Sequence, residues 1–128
     1  MLRGYSDDVS AWIAGADCFI LPSHWEGLPN IVLEGLSVGT PAVMSSDAGG
    51  DQLASLTTPG AVSICGSNLE FAAAIVNIQP RNNFEVLRAS LLPIDYEQNR
   101  VSQIWLELLQ CLSRGEPLSD ATPSLGMT

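Results

Sequence analysis

The sequence predicts an α/β fold with a parallel sheet, on three observations. Short continuous apolar runs alternate with stretches of helical spacing, glycine and proline punctuate the junctions, and the loop "PSHWEGLPN" follows the first apolar run, where such sheets carry their ligands. The expected form is a doubly wound, Rossmann-like parallel sheet, with three strands and their flanking helices legible in this sequence.

The elements follow in order. Ser6 is placed to cap a short helix over Asp7 to Gly15, with Asp7 and Asp8 at the positive end of its dipole. "DCFILPS" is a continuous apolar run closed by Pro22, suited to a strand covered on both faces. Pro29 fits the first turn of the next helix, because its missing N–H would be unsatisfied there anyway, and Gly39 and Pro41 end that helix after Val38. "TPAVMSS" is the second strand, a Gly49-Gly50 turn leads into a helix near Asp51 to Leu56, and "GAVSIC" is the third strand. Ser67 and Glu70 form a capping box for a helix reaching about Ile78. Asp95 and Gln98 suggest a related cap before the strongest helix, whose apolar stripe is Val101, Ile104, Trp105, Leu108 and Leu112. The remainder, polar and aperiodic, reads as a disordered tail over 115–128, leaving 1–114 as one partial domain.

Composition narrows the partners. Fourteen acidic residues against five arginines and no lysine give a net charge of -9, which repels phosphate backbones and anionic lipid surfaces. Nucleic acid and membranes are therefore poor partners. No run approaches the roughly 20 apolar residues of a membrane span, and no signal-peptide layout opens the chain, so a cytoplasmic location is expected. Cys18, Cys65 and Cys111, odd in number and set among apolar neighbours, read as buried thiols.

The loop after the first strand holds the chemistry. Gly27 allows a ligand close to the backbone, and the helix starting near Pro29 offers the amides of Asn30 and Ile31 together with a positive dipole end suited to phosphate. Glu26 stands before that helix start, and Glu34 rises roughly 7 Å beyond it. The spacing suits a nucleotide sugar, with the diphosphate on the amides and one carboxylate for each set of hydroxyls on either side. Ser23 either bonds a phosphate or closes the turn. His24 reads as a surface residue, with a donor contact as the alternative, and Trp25 as packing.

At these residues "LPSHWEGLPNIVLEGLSVGTPAV" resembles the donor-binding segment of retaining glycosyltransferases of the GT-B fold (glycosyl transferases group 1), whose E-x7-E motif matches Glu26 and Glu34. The resemblance also covers Gly27, Pro29, Gly39 and Pro41, and the element order from Gly4 to about Leu112. It implies the second half of a C-terminal donor-binding domain, with Glu26 catalytic and on the donor sugar. Glu34 would hold the ribose, and Ser23, Gly27, Leu28, Asn30 and Ile31 would lie along the donor.

The resemblance implies no metal and no cofactor, only a nucleoside diphosphate sugar as donor. It also implies that the doubly wound sheet is partial, with an N-terminal acceptor domain as partner, or self-association through the sheet edge that the missing first half of this domain would leave. Three departures stand out. Asp51 or Gln52 replaces the acidic residue that usually follows the Gly-Gly turn by three, Gly35 replaces an alanine, and the family's Arg/Lys pair for the diphosphate is missing. The isolated chain is accordingly expected to be inactive. A nucleotide-sugar epimerase of the same fold and a non-catalytic binding fragment are the alternatives. Donor sugar, base and acceptor are not legible.

Overall fold

The computed structural model describes residues 4–27, 29–83 and 86–115, and it divides into two units, Met1–Leu92 and Pro93–Thr128. The stretch expected as a tail lies, from residue 116 on, outside the described residues.

The first unit runs α1 (Val9–Gly15), β1 (Phe19–Leu21), α2 (Asn30–Ser37), β2 (Ala42–Ser45), α3 (Asp51–Leu56), β3 (Val62–Cys65) and α4 (Asn68–Asn77). The sheet has the order β1-β2-β3 and is parallel throughout, with Ile20 opposite Val43 and Val43 opposite Ser63. This is the expected α/β class with its three-stranded parallel sheet and flanking helices. Strand β2 lies in the middle, and its Ala42, Val43 and Met44 are buried because both edges and both faces are covered. Ile13, Val32, Leu36 and Leu53 complete the core from the helices.

Several helix starts differ from expectation. The cap of α1 is Asp8, whose Oδ1 accepts from Ala11 N at 2.9 Å, while Ser6 Oγ accepts from Asp8 N at 3.3 Å. The aspartate wins because it stands three residues before a free first-turn amide, the geometry a side-chain cap requires. Pro29 precedes α2 rather than opening its first turn, with ψ at 99°, and its carbonyl accepts from Val32 N. Ser67 does cap α4 through Glu70 N, but the Glu70 carboxylate reaches back to Gly66 N at 2.5 Å instead of to Ser67.

Gly35, where the resemblance leads one to expect alanine, is buried against α1. A Cβ built there would lie 3.4 Å from Ile13 Cγ2, so the glycine lets the two helices approach closely.

Residues 80–83 and 86–92 lie along the amino edge of the sheet. Arg88 Nη2 donates to Ala16 O at 2.6 Å and to Thr40 Oγ1 at 2.7 Å, and Arg81 Nη1 donates to Ala14 O. Thr40, fully buried, in turn donates its hydroxyl to Ile13 O at 2.8 Å. The two guanidinium groups thus meet the carboxyl end of α1, where unpaired carbonyls and the negative dipole end favour cations. Burial, and then the charge of Arg81, lowers the Arg88 pKa, with Asp17 opposing.

The second unit contains a short 3-10 turn at Ile94–Tyr96 and the helix α5 (Gln98–Arg114), ended by Gly115 in the left-handed region. Asp95 does not cap α5. The turn holds it before the helix, 3.9 Å from Arg100 Nε, and Glu97 precedes the helix without a side-chain cap.

Candidate functional site

Parallel strands put all their following loops on one edge, and here those loops are Pro22–Gly27 after β1, Ser46–Gly50 after β2 and Gly66–Ser67 after β3. Between them lies a cavity of about 350 Å³ lined by His24, Ser45, Asp47, Cys65, Ser67 and Phe71, among others. Neither Glu26 nor Glu34 lines it. A second cavity, of about 370 Å³ with Asp17 and Arg88 in its wall, belongs to the opposite edge of the sheet.

The two glutamates instead flank the start of α2. Glu26 is half-buried in the loop and Glu34 is exposed on the helix, about 6 Å along its axis from Asn30. Pro29 has no side-chain acceptor to cap the helix, and the amides of Val32 and Leu33 both donate back to its carbonyl. The amides of Asn30 and Ile31 precede those bonds, and among the described residues they have no backbone acceptor. Asn30 is exposed, Ile31 half-buried and Gly27 exposed with open space around it. Leu28 lies outside the described residues.

The side chains beside this segment are disposed otherwise than expected. The Ser23 carbonyl accepts from Ser45 Oγ, which ties the loop to the end of β2. Trp25 is 85% exposed, so it does not pack. His24 Nδ1 stands 4.0 Å from Asp47 Oδ2, both side chains lying open to solvent at the cavity rim. Gly49, with φ +66°, lies directly against the backbone of Glu26 and Gly27. Nothing local in the sequence marks Ser45 or Gly49 as partners of that loop, because both contacts span about twenty residues. The two described arginines of this unit, Arg81 and Arg88, are engaged at the amino edge, the far end of the strands from the loop that holds Glu26.

Cys65 is buried at the end of β3, whereas Cys18 and Cys111 are only half-buried, because each lies beside an open surface rather than inside the sheet. Burial, and secondarily the Glu70 charge, raises the Cys65 thiol above its ordinary 9.0. The folded protein therefore holds that proton more tightly than the unfolded chain does. The stabilisation is complete below the unfolded thiol's pKa and is lost as pH rises through the folded one. The urea midpoint is expected to fall from about pH 9 upward, and less steeply in Cys65→Ala; equal slopes in both proteins would contradict the assignment.

Among the described residues no group of three or more His, Cys, Asp or Glu side chains is placed to hold a metal ion, and no helix is long and apolar enough to cross a membrane.

A parallel α/β sheet with loops gathered at the carboxyl ends of its strands, and an uncapped helix start among them, is the arrangement in which open α/β folds take small ligands. Comparison with known proteins narrows the class. The sequence model of the family described as Glycosyl transferases group 1 matches residues 1–79, and the chain belongs to that family. It is similar to a UDP-Gal:alpha-D-GlcNAc-diphosphoundecaprenol alpha-1,3-galactosyltransferase of Escherichia coli, with 38% identity over 53 residues, 41% of this chain and 14% of the relative. It is also similar to the Vi polysaccharide biosynthesis protein VipC/TviE of Salmonella typhi, with 49% identity over 47 residues, 37% of this chain and 8% of the relative. The matched stretches are thus a small part of either relative's length. No solved structure matches the chain significantly.

Proposed function

We propose that residues 4–92 form the donor-binding half of the C-terminal domain of a retaining GT-B glycosyltransferase. The nucleoside diphosphate lies on the Asn30 and Ile31 amides, Glu34 accepts from the ribose hydroxyls, and Glu26 meets the donor sugar. The observation that carries this reading is the uncapped start of α2, with a half-buried carboxylate before it and an exposed one a turn beyond it. Two amides without a backbone acceptor among the described residues, at the positive dipole end, favour an anion, and flanking carboxylates oppose one unless they bind hydroxyls instead. A ligand with a diphosphate between two polyols meets both conditions. The relative from Escherichia coli is named for a UDP-linked sugar, which makes UDP a natural first probe.

The chemistry of transfer needs more than these residues. As the donor's glycosidic bond breaks, charge builds on the departing diphosphate, and cationic groups lower that barrier when aimed at it. Arg81 and Arg88 are held at the opposite edge of the sheet, so in this reading the neutralising cations come from outside the segment 4–92.

Isothermal calorimetry with UDP and GDP tests the assignment. Glu34→Ala is expected to lose roughly tenfold to 150-fold in affinity, the usual cost of about 1.5 to 3 kcal/mol for a charge-assisted hydrogen bond. Glu26→Ala is expected to leave UDP binding nearly unchanged, because the nucleotide alone carries no donor sugar. Unchanged binding in Glu34→Ala would remove the basis for the ribose contact.

A further inference from the structure

We infer that Gly49 and Ser45 are positioning residues: together they brace the backbone of the Ser23–Gly27 loop and so set where Glu26 stands relative to the start of α2. The inference rests on the donor-binding reading above and deepens it. Gly49 has φ +66°, and a Cβ there would lie 2.8 Å from Gly27 O and 3.1 Å from Glu26 O. Real Cβ atoms do not approach a carbonyl oxygen so closely, and both obstacles are backbone, which cannot step aside as a long side chain does. The turn after β2 is therefore shaped to let the carbonyl groups of Glu26 and Gly27 rest on it. Four residues earlier, Ser45 Oγ donates to Ser23 O and fixes the other end of the same loop to the last residue of β2. Leu28 is not described, and between Ser23 and Gly27 these two contacts from β2 and its turn hold the loop by its main chain.

The consequence for function is geometric. Strand β2 is the central strand, with Ala42, Val43 and Met44 buried, so a loop braced on it takes its height from the core of the sheet. Helix α2 packs on the same sheet, and hence the distance from the Glu26 carboxylate to the Asn30 and Ile31 amides is set by β2 at one end and by α2 at the other. A substitution that lifts the loop changes that distance without touching either glutamate.

Gly60 provides the control. Its φ is +88°, so alanine there meets the same backbone strain, but nothing lies within 4 Å of the new Cβ. Wild-type protein, Gly49→Ala, Gly60→Ala, Ser45→Ala and Ser45→Thr are compared by amide NMR of Glu26 and Gly27 and by calorimetry with UDP-galactose, whose sugar Glu26 would meet. Gly49→Ala and Ser45→Ala are expected to shift the Glu26 and Gly27 resonances and to weaken UDP-galactose about tenfold or more, with UDP alone nearly unchanged. Gly60→Ala is expected to lower the melting temperature yet leave these readouts as in wild type, and Ser45→Thr, which keeps the hydroxyl, to restore them. The brace is overturned if both Gly49→Ala and Ser45→Ala leave the resonances in place, or if the wild type binds UDP-galactose and neither variant weakens it more than Gly60→Ala does. Should Gly49→Ala fail to fold, the Ser45 pair decides alone by the same readouts. Shifted resonances in a protein whose wild type binds neither UDP nor UDP-galactose would uphold the brace and sink the donor reading instead.

Discussion

Gly39→Ala is expected to destabilise the protein by about 3 kcal/mol or more, a large part of the 5 to 15 kcal/mol that a domain typically has. Two costs combine. Gly39 has φ +76°, and an L-residue there pays about 1 to 2 kcal/mol for the left-handed backbone. The second cost is contact, since the new Cβ would lie 2.4 Å from Arg88 Cβ and 2.5 Å from Ala89 O, so the returning segment must lift away. That movement pulls on the Arg88 bonds to Ala16 O and Thr40 Oγ1 and on the bond from Leu91 N to Leu36 O, 2.8 Å long. Arg88 Nε is already buried without a partner, so little is left to compensate. Urea unfolding of Gly39→Ala beside Gly60→Ala isolates the contact: Gly60→Ala carries the strain alone and is expected to cost about 1 to 2 kcal/mol. Equal losses in the two variants would mean that the returning segment yields freely.

The same residues show why some of the structure was legible in the sequence and some was not. The three strands were marked by short continuous apolar runs, α3 by the Gly-Gly turn before it, and the end of α2 by Gly39 and Pro41; all are local signals, each within a few residues of the element it announces. The cap of α1 was misplaced by two residues because Ser6, Asp7 and Asp8 are all competent caps and only the geometry selects Asp8. The cap of α5 failed for a related reason: Pro93 starts a turn that Asp95 joins before the helix begins. Arg88 was invisible as a structural residue, since its partners Ala16 and Thr40 are 72 and 48 positions away. At the candidate site, residue types at a fixed spacing singled out Glu26, Gly27, Asn30 and Glu34 as candidates, whereas Ser45 and Gly49 touch the backbone of another loop, and backbone contacts leave no pattern in residue type.

The purified chain is expected to self-associate, because β1 presents an unprotected edge. Among the described residues β1 pairs with β2 alone, so one side of Phe19–Leu21 has no strand neighbour. The strand has no charge, no proline and no bulge, the devices that normally stop an edge from joining another chain, and Ile20 is 44% exposed. Asp17, the acidic residue nearest to it, is occupied in accepting from Arg81 N at 2.6 Å. Strand β3 also has a single strand neighbour, but it carries Ser63 and has α3 and α4 packed against it, which leaves β1 the more exposed of the two edges. A second copy, pairing edge to edge through β1, satisfies the open N–H and C=O groups of both chains. Light scattering over a concentration series is expected to show mass rising with concentration, and Ile20→Lys, which places a charge on the edge, to shift that rise to higher concentration. A stable monomer at high concentration, with amides 17–21 protected from exchange, would mean that another element of the protein already covers β1.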